Sequence, residues 1–169
     1  MTSFRISNLG IFVVCALFIA IAYYMQYVMY LDPCPLCMVQ RIAIMLIGLV
    51  GFAAFTHNPS RRGKILYSVA LMVFSVFGAL IAGRHVWLQN LPSDRVPECF
   101  PGIGFILANN PFMDAIRIIL GGTGECAETH WTFLGLSIPG WTLVFFVTFF
   151  GLALFQLINQ IKQPDTAHA

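Results

Sequence analysis

Long apolar runs separated by short charged segments are the dominant pattern of this chain. The stretch from Ile6 to Leu31 contains no charged residue, and neither does the stretch from Ile65 to Gly83. A third stretch, rich in Phe and Leu, covers residues 138–161. A bilayer core about 30 Å thick requires about 17 to 25 helical residues. Each of these three runs is therefore long enough to span a membrane as one helix.

A fourth apolar run, residues 42–55, is shorter than the other three. It reaches spanning length only if its helix begins near Met38, which places Arg41 in the first turn. The pattern thus predicts an all-α, integral membrane four-helix bundle that forms a single domain over residues 1–169. The expected spans are residues 9–31, 38–56, 65–83 and 138–160.

The composition agrees with lipid as the main solvent. The chain is 59% hydrophobic and only 9% charged, whereas soluble domains carry about 25% charged residues. The first run is longer than the apolar region of a cleaved secretory signal, which has about 7 to 15 residues, so we expect it to remain as a helix. The basic residues form no stripe that could neutralise nucleic-acid phosphates.

The basic residues near the helix ends indicate how the chain crosses the membrane, because Lys and Arg of short loops favour the cytoplasmic side. One side of the predicted bundle carries Arg5, Arg61, Arg62, Lys64 and Lys162. We therefore expect both termini to be cytoplasmic. The loops at residues 32–37 and 84–137 would then face outward, and both contain cysteines.

The segment NNPFMDAIRIILGG in the second outer loop predicts a short interfacial helix. Asn110 can cap it, Pro111 suits its first turn, and Gly121 with Gly122 can end it. The helix is too short to span and has one apolar face, so it should lie flat on the membrane surface. The Pro- and Gly-rich segments LPSDRVPECFPGIG and GGTGECAE of the same loop are expected to be mobile.

The cysteines divide into one isolated thiol and two pairs. Cys15 lies midway along the first apolar run, where we expect an inert, buried side chain. In an oxidising compartment the others could form structural disulfides. A bond between Cys99 and Cys126 would close a long loop and stabilise the fold by about 3 to 4 kcal/mol. A disulfide between Cys34 and Cys37 would close a loop with only two intervening residues, so it would add little stability to the fold. Stability therefore does not explain this pair.

The spacing of Cys34 and Cys37 is typical of dithiols that switch between reduced and oxidised forms. Both would lie at the start of the second helix, where the dipole and the free N–H groups stabilise a thiolate. Arg41 follows one turn later, either as an interfacial anchor or to hold an anion. We expect no metal site, because structural zinc usually uses two close-spaced pairs, and Cys99 and Cys126 are far apart in sequence.

A dithiol that oxidises other proteins must pass two electrons to an acceptor. The sequence has no haem-attachment motif, flavin fingerprint or iron–sulfur cysteine run. A lipid-dissolved quinone would suit a site at the head of a short membrane helix. Arg41 and His85 are the candidate donors to its carbonyl oxygens. For His85, a solvated histidine at the membrane interface is the alternative.

The chain resembles the bacterial DsbB family of disulfide bond formation membrane proteins, essentially from end to end. The resemblance rests on CPLCMVQR at the start of the second helix and on GECAETHWTFLGLSIPGW before the fourth. It implies a periplasmic site in the inner membrane, with redox disulfides Cys34–Cys37 and Cys99–Cys126. A soluble thioredoxin-fold oxidase, similar to DsbA, would attack Cys99, and Cys126 would leave.

By the same resemblance, electrons pass from Cys34–Cys37 to ubiquinone or menaquinone, and Cys37 lies nearest the quinone. Arg41 and His85 match the family's positions close to the quinone. Gln40 is a departure, since members of the family often carry an acidic residue there, and it affects any proton-relay role of that position. Two other functions are compatible with single features: a four-helix scaffold with static disulfides, and a quinone reductase similar to vitamin K epoxide reductase.

Overall fold

A computed structural model describes residues 2–99, 103–129 and 131–162 of the chain. The described helices are α1 (Thr2–Tyr27), α2 (Pro35–His57), α3 (Arg61–Gln89), α4 (Ile103–Asn109), α5 (Phe112–Gly121) and α6 (Ile138–Lys162). A two-stranded antiparallel hairpin, β1 (Thr132–Phe133) and β2 (Leu136–Ser137), precedes α6. Helices α1, α2, α3 and α6 are long and apolar enough to cross a membrane. The prediction of a four-helix membrane bundle is confirmed, and the chain is a multi-pass membrane protein.

The helices differ from their predicted spans at both ends. At the inward end, α1 begins at Thr2 instead of residue 9, and α3 begins at Arg61 instead of residue 65. Helix α3 continues past residue 83 to Gln89, so Arg84 and His85 lie in its last turns rather than in the loop. Helix α2 begins at Pro35, earlier than expected, because the fixed φ of proline suits the first helical position. Helix α1 ends at Tyr27 instead of continuing to residue 31.

Sequential neighbours pack side by side, and the last helix closes the bundle. Helix α1 lies against α2, α2 against α3, and α3 against α6. Short connections favour such antiparallel neighbours. The centre of the bundle is a cluster of fully buried side chains that includes Ile47, Leu71 and Phe146. The four long helices thus form one packed core.

Basic residues at one end of the bundle satisfy the carbonyl groups that end two helices. Arg5 Nε donates to the carbonyl of Phe55 near the end of α2, at 3.3 Å. Arg61 Nε donates to the carbonyl of Gln160 near the end of α6, at 2.8 Å. A positive charge at a helix C-terminus is favourable because it complements the helix dipole. The end with the chain termini is therefore the basic end.

The second outer loop is more ordered than its sequence suggested. Helix α4 occupies residues 103–109, where no helix was predicted, and its first two residues belong to the segment LPSDRVPECFPGIG that we expected to be mobile. It packs on α5 through Ile106, Ala115 and Ile119, and this small cluster rests against Val39 of α2. The apolar contact between the two short helices explains why the segment folds despite its glycines.

The predicted cap of α5 is wrong. The Asn110 side chain donates from Nδ2 to the carbonyl of Ile106, at 3.0 Å, and so ends α4 instead of starting α5. Pro111 takes the N-cap position of α5 and supplies no side-chain hydrogen bond. Phe112 and Met113 remain highly exposed at the start of α5, as expected for a helix that lies on a membrane surface.

The close approach of α3 and α6 at Gly78 generates the first prediction. A Cβ at Gly78 would collide with the ring of Phe146, which is fully buried. Gly78→Ala should therefore destabilise the bundle by about 1 to 3 kcal/mol, measured as thermal unfolding in detergent.

Gly83→Ala on the same helix is the matched control, because a Cβ there meets nothing within 4 Å. It should be neutral or stabilising by up to about 1 kcal/mol. Equal melting temperatures for the two variants would contradict this packing.

Candidate redox-active site

Cys34 and Cys37 lie together at the head of α2. Cys34 is the N-cap residue, and its Sγ accepts a hydrogen bond from the backbone N–H of Cys37, at 3.4 Å. The Cys34 thiol donates to Cys37 Sγ across 3.2 Å, so the two sulfurs are in contact without a disulfide bond in this structure. The helix dipole and the free N–H groups of the first turn favour negative charge on these sulfurs.

Cys126 lies beside this pair, although it is distant in sequence. The 3₁₀ turn Gly124–Cys126 buries it completely, in one cluster with Cys34, Leu36 and Leu88. A hydrogen bond to Cys34 and burial both raise the pKa of the Cys126 thiol well above its ordinary value. Cys126 therefore lies in one buried cluster with Cys34, and Cys34 in turn contacts Cys37.

Cys99 lies on the exposed side of the same turn. Its neighbour Glu98 accepts a hydrogen bond from the backbone N–H of Gly124, at 3.1 Å. A Cβ on Gly124 would lie only 2.5 Å from Cys99 Sγ, so a glycine is required there for the two segments to meet. Cys99 is exposed while Cys126 is buried. Both cysteines of the loop thus lie at one turn, and Cys99 is the accessible one.

His85 is buried and faces the cysteines. Only 2% of its surface is exposed, which excludes the alternative of a solvated interfacial histidine. Its Nε2 lies 3.7 Å from Cys34 Sγ, and its Nδ1 lies 3.1 Å from the side-chain amide of Gln40. Thr142 Oγ1 on α6 is 2.6 Å from Gln40 Oε1. A hydrogen-bonded chain therefore joins α6, α2 and α3 to the sulfur of Cys34.

Arg41 is held against the outer part of α1. Its Nη1 donates to Gln26 Oε1 at 2.5 Å, and its Nη2 donates to the carbonyl of Ala22 at 3.1 Å. The guanidinium also lies 5.5 Å from the ring centroid of Tyr23. These contacts fix the position of the charge one turn beyond Cys37.

A cavity of about 870 Å³ adjoins these residues. Apolar side chains of α1, α2 and α6 form much of its wall. Its polar lining includes Cys34, Cys37, Gln40, Arg41, His85 and Thr142 on the helices, and Asp32, Gln89, Glu125, Glu128 and Thr129 nearer the outer loops. Large apolar cavities with a few converging polar groups are typical of small-molecule sites. This cavity fits a quinone ring, because it offers an apolar slot beside the N–H donors of Arg41.

Two polar residues of the site were missed by sequence reasoning. Gln26 is a polar residue near the end of an apolar run, and such residues inside membrane segments are often functional, so it could have been singled out. Thr142 gave no such signal, because its role depends on a contact with Gln40 that only packing creates. Cys15 lies apart from the site, against Gly48 in the bundle core, in agreement with the expectation of a buried side chain.

Comparisons with known proteins point to one family. A family model described as disulfide bond formation protein DsbB matches residues 4–156. A disulfide bond formation protein B from Hahella chejuensis is 48% identical over 159 residues, which cover 92% of this chain and 96% of that protein. A protein of the same name from Marinobacter nauticus is 46% identical, with 92% of each chain covered. Disulfide bond formation protein B 1 of Pseudomonas aeruginosa is 39% identical over 88% of this chain and 91% of its own length.

The burial and pKa of Cys126 generate the second prediction. In the reduced protein Cys99 should be alkylated by N-ethylmaleimide well before Cys126, because Cys99 is exposed and Cys126 is not. A raised pKa lowers the thiolate fraction at pH 8, so alkylation of Cys126 should still accelerate above the ordinary thiol pKa of about 8.5.

Cys34→Ala tests the cause of that shift. It removes the hydrogen-bond partner of Cys126, which should lower the pKa of Cys126 and speed its alkylation at pH 8. Mass spectrometry of the labelled peptides over a pH series measures both effects. An unchanged pH profile in Cys34→Ala would show that the contact with Cys34 does not control this thiol.

Proposed function

This chain belongs to the DsbB family of disulfide bond formation proteins, and from that membership and the site geometry we propose that it is a quinone-dependent thiol:disulfide oxidoreductase. It reoxidises a soluble, DsbA-like thioredoxin-fold oxidase in the periplasm and passes two electrons to quinone in the inner membrane. The observation that carries the proposal is the grouping of Cys126 and Cys34 in one buried cluster, with Cys99 beside the turn that holds Cys126 and Cys37 in contact with Cys34 at the cavity.

In the first step the reduced oxidase meets a Cys99–Cys126 disulfide. Its thiolate attacks Cys99, the exposed sulfur, and Cys126 leaves as a thiolate inside the protein. The second thiol of the oxidase then attacks the mixed disulfide, so that the oxidase departs with its own disulfide and Cys99 is left reduced. Two electrons have entered the pair Cys99 and Cys126, and the oxidase has lost them.

In the second step these electrons move inward by a further exchange. The Cys126 thiolate attacks Cys34 of the Cys34–Cys37 disulfide, because the two residues lie in one buried cluster. Cys37 leaves as a thiolate at the N-terminus of α2, where the helix dipole stabilises it. Cys99 then displaces Cys34 from Cys126, which restores the outer disulfide and leaves the inner pair reduced.

The last step returns the inner pair to a disulfide. Ubiquinone or menaquinone, when bound, accepts two electrons and two protons. Arg41 supplies N–H donors and positive charge at the cavity wall, and α1 fixes its orientation through Gln26 and Ala22. The apolar wall keeps water away from the dithiol. His85 also lines the cavity, but its contact with Cys34 assigns its main contribution to the dithiol.

A quinone-reduction assay tests the proposed function. The purified protein in detergent is mixed with a reduced thioredoxin-fold oxidase and with ubiquinone or menaquinone, and quinone absorbance is followed. Cys37→Ser should abolish reduction, since it removes the sulfur at the end of the chain. Cys15→Ser should reduce quinone like the unmodified protein, because Cys15 is buried far from the site. Failure with both quinones would remove the quinone-linked activity and favour a scaffold with static disulfides.

The contacts of Arg41 generate a second functional prediction. Arg41→Ala removes a charged donor from the cavity, and such a hydrogen bond contributes about 1.5 to 3 kcal/mol. The KM for quinone should therefore rise by about 10- to 100-fold, while the reaction of the oxidase with Cys99 is unchanged. Arg84→Ala is the matched control, because Arg84 also lies over an aromatic ring, at 4.3 Å from the centroid of Trp87, but does not line the cavity. A KM that is equal in both variants would contradict the role of Arg41.

A further inference from the structure

The side chains of Cys34, Cys37 and His85 form a compact cluster of metal-ligand atoms. Their two Sγ atoms and a ring nitrogen of His85 all lie within 4.8 Å of one another. We propose that the dithiol form of this protein binds Zn²⁺, or a similarly thiophilic divalent cation, through these three side chains. This site is additional to the electron transfer proposed above, and cation binding itself does not depend on that function.

The distances suit a tetrahedral zinc site. With Zn–S near 2.3 Å and Zn–N near 2.0 to 2.1 Å, neighbouring ligand atoms are about 3.5 to 3.8 Å apart. The Cys34 Sγ to His85 Nε2 distance is already 3.7 Å. The two sulfurs are 3.2 Å apart and would need to separate by about half an ångström, which a small side-chain rotation achieves. Three protein ligands with an open fourth position is the arrangement of catalytic zinc sites.

The charge balance of the site also favours a divalent cation. Two buried thiolates without a counter-charge are costly, and the single positive charge of Arg41, whose hydrogen bonds to α1 go to neutral acceptors, can offset only one of them. A cation with two positive charges would neutralise both sulfurs. All three ligands line the large cavity, which gives the ion an entry path. The ligands also come from the rigid ends of two helices, α2 and α3, so little ordering is required.

The neighbours of His85 complete the site. Zinc on Nε2 requires a hydrogen on Nδ1, and a zinc-bound histidine normally donates that hydrogen to an oxygen. With its amide turned by 180°, Gln40 presents Oε1 to Nδ1 and its NH₂ group to Thr142 Oγ1. Thr142 has one hydroxyl hydrogen and can then donate it to the carbonyl of Pro139, 2.9 Å away. The Nδ1 hydrogen, one amide hydrogen of Gln40 and the hydroxyl hydrogen of Thr142 thus each have one acceptor, and the imidazole is oriented toward the sulfurs.

The site is gated by the redox state. Metal binding requires thiolates, and a Cys34–Cys37 disulfide offers none, so the oxidised protein should not bind the ion here. A bound cation would in turn hold both sulfurs and prevent them from giving up electrons. Through the proposed function, Zn²⁺ would therefore be an inhibitor that captures the reduced intermediate.

The test measures binding directly, on the full chain in detergent. After reduction by a phosphine and removal of the reductant, Zn²⁺ affinity is measured by competition with a chromophoric chelator. Co²⁺ serves as a second probe, because its thiolate charge-transfer band reports sulfur ligands. We expect one ion per reduced chain at this site and loss of that binding after oxidation. Cys37→Ser and His85→Ala should each weaken binding by at least about tenfold. Cys15→Ser is the matched control and should leave the affinity unchanged.

Gln40→Glu distinguishes ligation by His85 from a merely structural effect. A carboxylate is a stronger acceptor for the Nδ1 hydrogen, so this variant should bind Zn²⁺ more tightly, which damage to the fold would not produce. Equal affinity of the oxidised protein, or of His85→Ala, would overturn the site and leave an adventitious ion only. The readouts separate the two proposals, because a chain that binds Co²⁺ but never reduces quinone would refute the proposed function alone.

Discussion

In the hydrocarbon core of a bilayer every backbone N–H and C=O group must be paired within its own helix. This constraint confines irregular backbone and polar chemistry to the ends of helices. The present structure follows it closely. The four long helices supply a packed apolar core. The residues that gather where α2 begins and α3 ends are Cys34, Cys37, Cys126, Arg41 and His85. The N-terminus of α2 is the point at which the membrane bundle and the thiol chemistry meet.

The polar residues around this point are expensive to bury, and each has a partner that offsets the cost. Gln40 is 3% exposed and lies between His85 and Thr142. Arg41 is held by Gln26 and the carbonyl of Ala22. A half-satisfied polar network in a low-dielectric interior would be worse than an apolar one. The network therefore both stabilises the helix ends and holds the sulfurs in fixed positions, which is a requirement for rapid thiol exchange.

The arrangement of the cysteines separates access from electron delivery. Cys99 is exposed to a protein partner, Cys126 is buried behind it, and Cys37 lines the cavity. The glycine-rich turn at Gly124 permits this division, because a side chain there would push the Cys99 segment away. The close packing that places Cys34, Cys37 and Cys126 in one cluster also places Cys34 and Cys37 beside His85. A site built for transferring electrons between thiols thus also has the elements of a cation site.

Much of the architecture could be predicted from the sequence, because long hydrophobic runs indicate which segments are surrounded by lipid. The lengths of the runs determined four membrane helices. The Cys34-x-x-Cys37 spacing, before a helix with Arg41 in its first turn, predicted a redox dithiol. Helix α4 was not predictable in this way, since its stability comes from contact with α5 rather than from its own glycine-containing sequence.

The sequence by itself therefore determined which segments cross the membrane and predicted which residues carry chemistry, because both follow from local composition and spacing. The tertiary structure alone decided how they meet. Cys126 lies against Cys34, His85 faces the dithiol, and Thr142 of α6 reaches Gln40 of α2. These contacts join residues far apart in the chain, and they depend on side-chain packing between helices, for which a single sequence carries no periodic signal.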